Sequence, residues 1–462
     1  MEGIKIGLAN RQLVINPYYL GVLILIAFSV TTKFWLSSKT TYLNEWDERY
    51  HALVAKNIAS DNSFLAPKLY AYPVLDFPPE NWSKSHIWMH KQPLTTWIMA
   101  LSIKALGVTT TAVRVPSILM AGFSVLLVFL IGRKLFNEAI GIIAACFMSI
   151  HGFTNLLSTG KVTTDHVDLY FMFFILLSFY FITKIKKGKK NWIPLLLIGL
   201  YTGLAVLVKW LPAYTTILGF LAFNWSARSK KQLFIDTTFI VLVSMTIWAP
   251  WQWYAYSNFQ LDYLTTQEHN WQHVTQYVEN HTNGPFYLLG KSIYLYGEIW
   301  IVGITLLLLS ILRRPNRELL MIATWIFVPT IFFSLTKTKL PGYTYFTAPA
   351  VFLLSSWALY NILQKKFIQK KWARGLIVLA LIISPIIRSY ESYQFNSINS
   401  RPTVDELLTD LGIGERDEVV IFGSKAPIND MFFLDITASY EFIPKEQIID
   451  SLKAHYNIIV ND

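Results

Sequence analysis

The sequence predicts an all-α, polytopic membrane protein of about eleven transmembrane helices, with interfacial helices in a long first outer loop and a small α/β segment at the C-terminus. Two observations carry this expectation. Of 462 residues, 53% are hydrophobic and only 15% are charged, whereas a soluble domain carries about a quarter charged residues. Together with the positive mean hydropathy, this makes lipid the solvent. The second observation is that the basic residues fall in short clusters after every second apolar stretch. The net charge of +11 is therefore no sign of nucleic acid, which would call for a basic patch on one soluble face. Cys146 is the single cysteine and lies in an apolar run, which excludes a disulfide framework or a cysteine-built zinc site within the chain. Lys5 and Arg11 precede an apolar segment too long for a signal-peptide core, so that segment reads as a retained first helix.

A helix needs roughly 20 apolar residues to cross the hydrocarbon core. Candidate spans are 17–37, 112–132, 138–158, 167–184, 191–209, 211–226, 233–254, 296–312, 318–336, 343–363 and 374–391. Basic clusters follow the second span (Arg133, Lys134), the fourth (Lys184, Lys186, Lys187, Lys189, Lys190), the sixth (Arg228, Lys230, Lys231), the eighth (Arg313, Arg314, Arg317) and the tenth (Lys365, Lys366, Lys370, Lys371, Arg374). The excess of lysine and arginine fixes those loops in the cytoplasm, with the N-terminus inside and the C-terminus outside. The stretch 93–107 is short and carries Lys104. Counting it as a span would turn every later basic loop outward, so it is placed as a helix at the outer interface. Three outer regions are then long: 38–111, 255–295 and 392–462. The last contains EVVIFG and NIIV runs among helical stretches, which suggests a transmembrane unit over 1–393 and a small soluble α/β unit over 394–462.

Charged residues at the outer ends of spans are the candidates for chemistry. The first loop opens with Asn44-Glu45-Trp46-Asp47-Glu48-Arg49-Tyr50-His51. An acidic pair there suits a general base or a metal ligand, and a helix starting here places Asp47, Tyr50 and His51 on one face. The same residues also suit an ordinary solvated helix start, where acids are favoured. Further on comes His90-Lys91-Gln92-Pro93. Pro93 fits a first helical turn, so Lys91 sits beside a helix N-terminus, a place for a phosphate. Arg114 opens the next span, although a single cation at a membrane boundary is also what an anchoring side chain looks like. The turn Lys161–Asp168 brings carboxylates into an apolar span, which is costly and therefore a mark of function. Lys209, Lys337 and Lys339 stand on outer turns against the positive-inside tendency, and with few acids nearby they make an anion site. One acidic base candidate among several outer cations suits transfer onto a hydroxyl or amine from a donor that leaves as a lipid phosphate.

Taken in order, DERYHALVAKNI from Asp47, HKQPLTTW from His90, RVPS from Arg114, TTDHVDLYF from Thr163, GLAVLVKWLP from Gly203, APW from Ala249 and FSLTKTKLPGYTYFTAPA from Phe333 resemble the GT-C membrane glycosyltransferases. The resemblance is to the group that contains the lipid A aminoarabinose transferases (ArnT-like) and the dolichyl-phosphate-mannose protein mannosyltransferases. It covers about three quarters of the chain; each stretch is weak alone and the ordered set is specific.

The resemblance implies a GT-C fold, a polyprenyl-phosphate-linked sugar donor and a lipid, glycan or protein acceptor. It makes Asp47 the catalytic aspartate, with Glu48 beside it, and gives Asp165 the second acidic position in preference to Asp168. It makes Lys91, Arg114, Lys209, Lys337 and Lys339 donor-phosphate ligands. Arg49, Tyr50, His90, Trp97, Tyr343 and Tyr345, which lie within the matching stretches, are expected to line the substrate cavity. The residue set requires no metal, but Asp47, Glu48 and His90 could hold a divalent cation. Two departures bear on the acceptor and on any metal: His90 and Gln92 stand where the group has an acidic residue and a proline, and the first loop is lengthened by an aromatic-rich stretch from Tyr70 to Trp88. The expected function is an inverting transfer on the outer side of the bacterial cytoplasmic membrane. The competing class is a flippase or transporter, which would place charges at mid-membrane or show paired half-repeats.

Overall fold

The computed structural model describes residues 4–8, 11–44, 46–161, 166–187, 190–313, 316–364, isolated positions between 370 and 390, and 418–461. A short antiparallel hairpin, β1 (Ile4–Leu8) and β2 (Arg11–Ile15), comes first, with Ile4 opposite Ile15. The sequence reading did not anticipate it. The expected first span is α1 (Pro17–Ser37), capped by Asn16, whose side chain accepts from the Tyr18 N–H. This is the usual pairing of an Asn cap with a proline at the first helical position.

Six described helices are long and apolar enough to cross a membrane: α1, α4 (Thr110–Leu135), α8 (Trp192–Lys209), α10 (Lys230–Asn258), α14 (Arg317–Leu335) and the segment Pro341–Leu363, which ends in α15 (Ala348–Leu363). Two bent pairs, each a broken span or a re-entrant loop, would bring that to at most eight. These are α5 (Glu138–Ile150) with α6 (Gly152–Ser158), bent by 50°, and α12 (Tyr287–Tyr296) with α13 (Ile299–Arg313), bent by 113°. The expected spans 167–184 and 211–226 appear as shorter apolar helices, His166–Ile182 (α7) and Leu211–Asn224, the latter ending in α9 (Thr215–Asn224). The expected span 374–391 falls largely outside the described residues. The chain is a multi-pass membrane protein. Leu23, Ile24, Phe234 and Leu242 are exposed on its spans, as lipid-facing side chains must be.

The two ends of the bundle differ. At one end Arg133 pairs with Glu138, Asn16 bonds Glu138, and the Arg133 guanidinium lies over Tyr19, so the start of α1 and the first basic loop are together. At the other end lies the loop after α1. It carries α2 (Asp47–Asp61) and α3 (Leu94–Leu106). At 13 residues, α3 is about 20 Å long, short of the roughly 30 Å hydrocarbon core. Both of its ends are held within this loop: Lys91, just before it, pairs with Asp47, and Lys104 near its end donates to Asn62.

The C-terminal residues form a three-stranded parallel sheet with β3 (Val419–Phe422) between β4 (Ala438–Tyr440) and β5 (Asn457–Val460). The boundary expected at 394 lies outside the described residues. The sheet packs on the first loop through one shared apolar core. Lys56 of α2 is buried there, donating to the Met431 carbonyl and pairing with Asp435 at 2.6 Å. Tyr440 stacks on Tyr70 and its hydroxyl accepts from the Leu75 N–H. The aromatic-rich insertion in the first loop is thus a docking surface for the C-terminal sheet.

Candidate active site

The site is built from two neighbours at the start of α2. Glu48 is fully buried. It accepts from Arg114 Nε at 2.7 Å and Nη2 at 3.1 Å, from the Asn44 N–H at 2.6 Å, and lies 3.3 Å from His166 Nε2. His166 Nδ1 in turn lies 2.6 Å from the Ser117 hydroxyl. Burial alone would push the Glu48 carboxyl up. The Arg114 charge and the hydrogen bonds from His166 and Arg114 outweigh it and bring the group down to about 2. Gly160 closes the pocket. Its φ is +66°, and a Cβ there would lie 2.2 Å from the Glu48 carboxyl carbon, so both the backbone and the space require glycine.

Arg114, also fully buried, spends its remaining donors on the carbonyls of Ser37, Thr40 and Tyr42 and on the Thr40 hydroxyl. Every N–H of this guanidinium is used within the protein, five donors being its whole supply. Arg114 therefore ties the end of α1, the following turn and α2 to α4, and presents no free donor to a phosphate.

Asp47 is in a different setting. It is only half-buried, and its Oδ2 lies 3.6 Å from Lys91 Nζ, itself partly exposed. Lys209, at the end of α8, pairs with Asp168 in the first turn of α7, and its ammonium lies 5.1 Å over the Tyr343 ring. Asp168 is buried, with its second oxygen unpartnered. The carboxylates of Asp168, then Glu279 and Asp47, all reach the Tyr343 hydroxyl electrostatically. Asp165, expected at the second acidic position, lies outside the described residues; Asp168 pairs with Lys209.

The remaining expected residues divide. The His90 ring stacks on Trp82 at 4.2 Å, and burial, then the charges of Lys91, His269, His51 and His273, keep it neutral well below its usual value. Trp82 also meets Tyr50 edge-on, and Arg49 lies over the Tyr50 ring. Trp97 bonds the Phe64 carbonyl at 2.6 Å and packs on Trp251, which fastens α3 to α10. Gln92 accepts from Gln252 of α10 at 2.7 Å, which gives this departure from the motif a role in the same joint. Lys339 is buried and its ammonium is absorbed by the carbonyls of Thr336, Lys337 and Asn283. Lys337 is exposed over the Tyr277 ring. Tyr345 is buried with its hydroxyl 2.6 Å from that of Thr154. Among the described residues, no group of three His, Cys, Asp or Glu side chains is arranged to hold a metal ion. Asp47, Glu48 and His90 do not make one, because the Glu48 oxygens are committed to Arg114, Asn44 and His166, and His90 is held in a ring stack.

A solved structure of ArnT from Cupriavidus metallidurans bound to undecaprenyl phosphate superposes with a TM-score of 0.68 over 94% of this chain and 88% of that one, at 14% identity. The chain has the GT-C fold of the ArnT and protein mannosyltransferase group. The oligosaccharyltransferase AglB of Archaeoglobus fulgidus, solved with an inhibitory peptide and a dolichol-phosphate, matches this GT-C fold with a TM-score of 0.64, over 92% of this chain and 64% of that one at 14% identity. Residues 90–253 match the family model of dolichyl-phosphate-mannose-protein mannosyltransferase. An undecaprenyl phosphate-alpha-4-amino-4-deoxy-L-arabinose arabinosyl transferase of Pseudomonas fluorescens is 23% identical over 57% of this chain and 49% of its own. An uncharacterized protein of Aquifex aeolicus is 22% identical over 82% of this chain and 71% of its own. The GT-C chain thus spans about half the length of the curated arabinosyl transferases it matches.

His166 and Gly160 are the site residues that sequence reasoning missed. His166 stood inside the TTDHVDLYF stretch, and only its contact with Glu48 gives it a role.

Proposed function

We propose that this protein is an inverting glycosyltransferase. It moves a sugar from a polyprenyl-phosphate-linked donor to a lipid, glycan or protein acceptor on the outer side of the bacterial cytoplasmic membrane. The observation that carries the reading is the half-buried Asp47 carboxylate 3.6 Å from Lys91 Nζ, in the loop that follows the first span, with a second lysine–carboxylate pair, Lys209–Asp168, at the start of α7. The names of the similar proteins support the lipid donor: undecaprenyl phosphate recurs in the arabinosyl transferase and in the ArnT complex, and dolichol-phosphate in the AglB complex.

In this reading Asp47 takes the proton of the acceptor hydroxyl or amine as the acceptor attacks the anomeric carbon. The bond from that carbon to the phosphate oxygen breaks, and its electron pair leaves on the phosphate. Lys91 and Lys209 stabilise the departing oxyanion from positions fixed before the reaction. One displacement at the anomeric carbon inverts it. Glu48, Arg114 and His166 are positioning residues that hold the start of α2. Lys339 shapes the turn after α14, and Lys337 adds a long-range positive field. Asp168 orients Lys209. The N-terminus is cytoplasmic and the C-terminal sheet extracytoplasmic, because that sheet packs on the loop that carries Asp47.

The test is a transfer assay with purified protein and synthetic polyprenyl-phosphate sugars (mannose and 4-amino-4-deoxy-arabinose), with release of free polyprenyl phosphate followed by mass spectrometry. Consumption of a lipid-linked sugar but of no nucleotide sugar is expected. Consumption of nucleotide sugars alone would overturn the reading.

A further inference from the structure

Two tryptophans stand in backbone conformations that glycine alone adopts freely. Trp46 has φ +68° and ψ −129°, and Trp210 has φ +69° and ψ −152°. For a bulky side chain this is an outlier that the rest of the structure must enforce, and such outliers cluster at functional sites. Each adjoins a charge of the site: Trp46 precedes Asp47, and Trp210 follows Lys209.

The fold explains one of them. The Trp210 N–H bonds the Val206 carbonyl at 2.8 Å and ends α8, and its ring packs edge-on against Trp248. Trp46 has no such account. Its side chain is 54% exposed, and among the described residues its ring meets no aromatic or cationic partner. Membrane anchoring does not explain it either, since an anchor needs no costly backbone. Trp35, at the same end of α1, shows what an anchor looks like: 49% exposed, in regular helix, with the Lys39 ammonium over its ring.

We infer that Trp46 is a sugar-stacking residue of the Asp47 site. The C–H face of a sugar ring packs on the indole, and the ring's hydroxyls turn toward the Asp47 carboxylate one residue away. A large, rigid aromatic side chain with an apolar face is suited to this. The strained backbone is what turns the indole out beside Asp47 instead of letting it fold into the core. This inference rests on the glycosyl-transfer reading, and the sugar is that of the donor or that of a glycan acceptor.

The test uses the full chain in nanodiscs with Trp46→Gly, Trp46→Leu and Trp46→Phe. Thermal unfolding is measured first. Glycine accepts the backbone, so Trp46→Gly should unfold at or above the wild-type temperature. Affinity is then measured for polyprenyl phosphate alone and for the same lipid carrying a sugar. If the ring holds the donor sugar, the Gly and Leu variants bind the sugar-carrying lipid about three- to tenfold more weakly, the range expected for an aromatic contact. The bare phosphate lipid should bind as before, and Phe should restore most of the loss. If the ring holds an acceptor sugar, donor affinities are unchanged and the KM for a glycan acceptor rises by a similar factor. Wild-type affinities and KM in all three variants would overturn the inference, as would a lowered unfolding temperature for Trp46→Gly. A wild-type protein that binds neither lipid would instead count against the glycosyl-transfer reading itself.

Discussion

Asp47 and Glu48 are neighbours in sequence, both acidic and both in the first turn of one helix, yet the structure gives them opposite surroundings. Glu48 is sealed among Arg114, His166, Asn44 and Gly160 with its bonding capacity spent. Asp47 meets Lys91 at 3.6 Å and keeps some exposure. A carboxylate held near 2 by its neighbours is a poor proton acceptor and a firm bolt. A partly exposed carboxylate beside a lysine, within reach of solvent and substrate, is what a general base needs. The difference comes from helix geometry, because adjacent residues point about 100° apart. It shows how one acidic pair can supply both a rigid frame and a reactive group.

The frame breaks most severely at Arg114. Arg114→Ala would strand a buried Glu48 carboxylate, and breaking a buried pair in this way costs about 3–5 kcal/mol. A large fall in thermal stability in detergent is expected, with activity lost along with the fold. Lys91→Ala should leave stability near wild type and lower kcat/KM for the lipid-phosphate donor by about ten- to a hundredfold, the worth of roughly 1.5–3 kcal/mol for a charged hydrogen bond. Steady-state kinetics on folded protein checks this. Acid should weaken the frame. Glu48 is depressed from its ordinary 4.5 to about 2, so its stabilisation is complete above about 4.5 and is lost as pH falls toward 2. The unfolding temperatures of wild type and Glu48→Gln should therefore converge as pH is lowered from 6 to 3. At the small end, Lys337→Ala touches an exposed side chain and should change stability by less than about 0.5 kcal/mol, read by the same melts.

The apolar frame was legible in the sequence because hydrophobic length and basic loops are local signals. The expected first span 17–37 is Pro17–Ser37, and the short stretch at 93–107 contains a 13-residue helix tied to the loop after α1. The bends in two spans were not legible, since no local residue count reveals a change of axis. The docking of Tyr440 on Tyr70 joins positions 370 apart in the chain and leaves no local trace beyond the aromatic richness of the insertion. At the site, the residue types and their neighbourhoods were readable but their partners were not. Arg114 reads as a free cation until its five donors are counted, and Lys339 until three carbonyls are found around it. Gly160 has meaning only once Glu48 is seen packed against it.

The central claim is that the two neighbouring acids divide chemistry from support, and one paired measurement tests it. Asp47→Asn and Glu48→Gln are purified, and each is assayed for sugar transfer per folded molecule and for thermal unfolding. Removing a general base typically costs about 10²–10⁴-fold in rate. The account therefore expects Asp47→Asn to lose that much turnover while melting like wild type and still binding the lipid donor. It expects Glu48→Gln to melt markedly lower while its folded fraction keeps most of its turnover. Near-normal transfer by Asp47→Asn, or loss of transfer by stably folded Glu48→Gln, would contradict it.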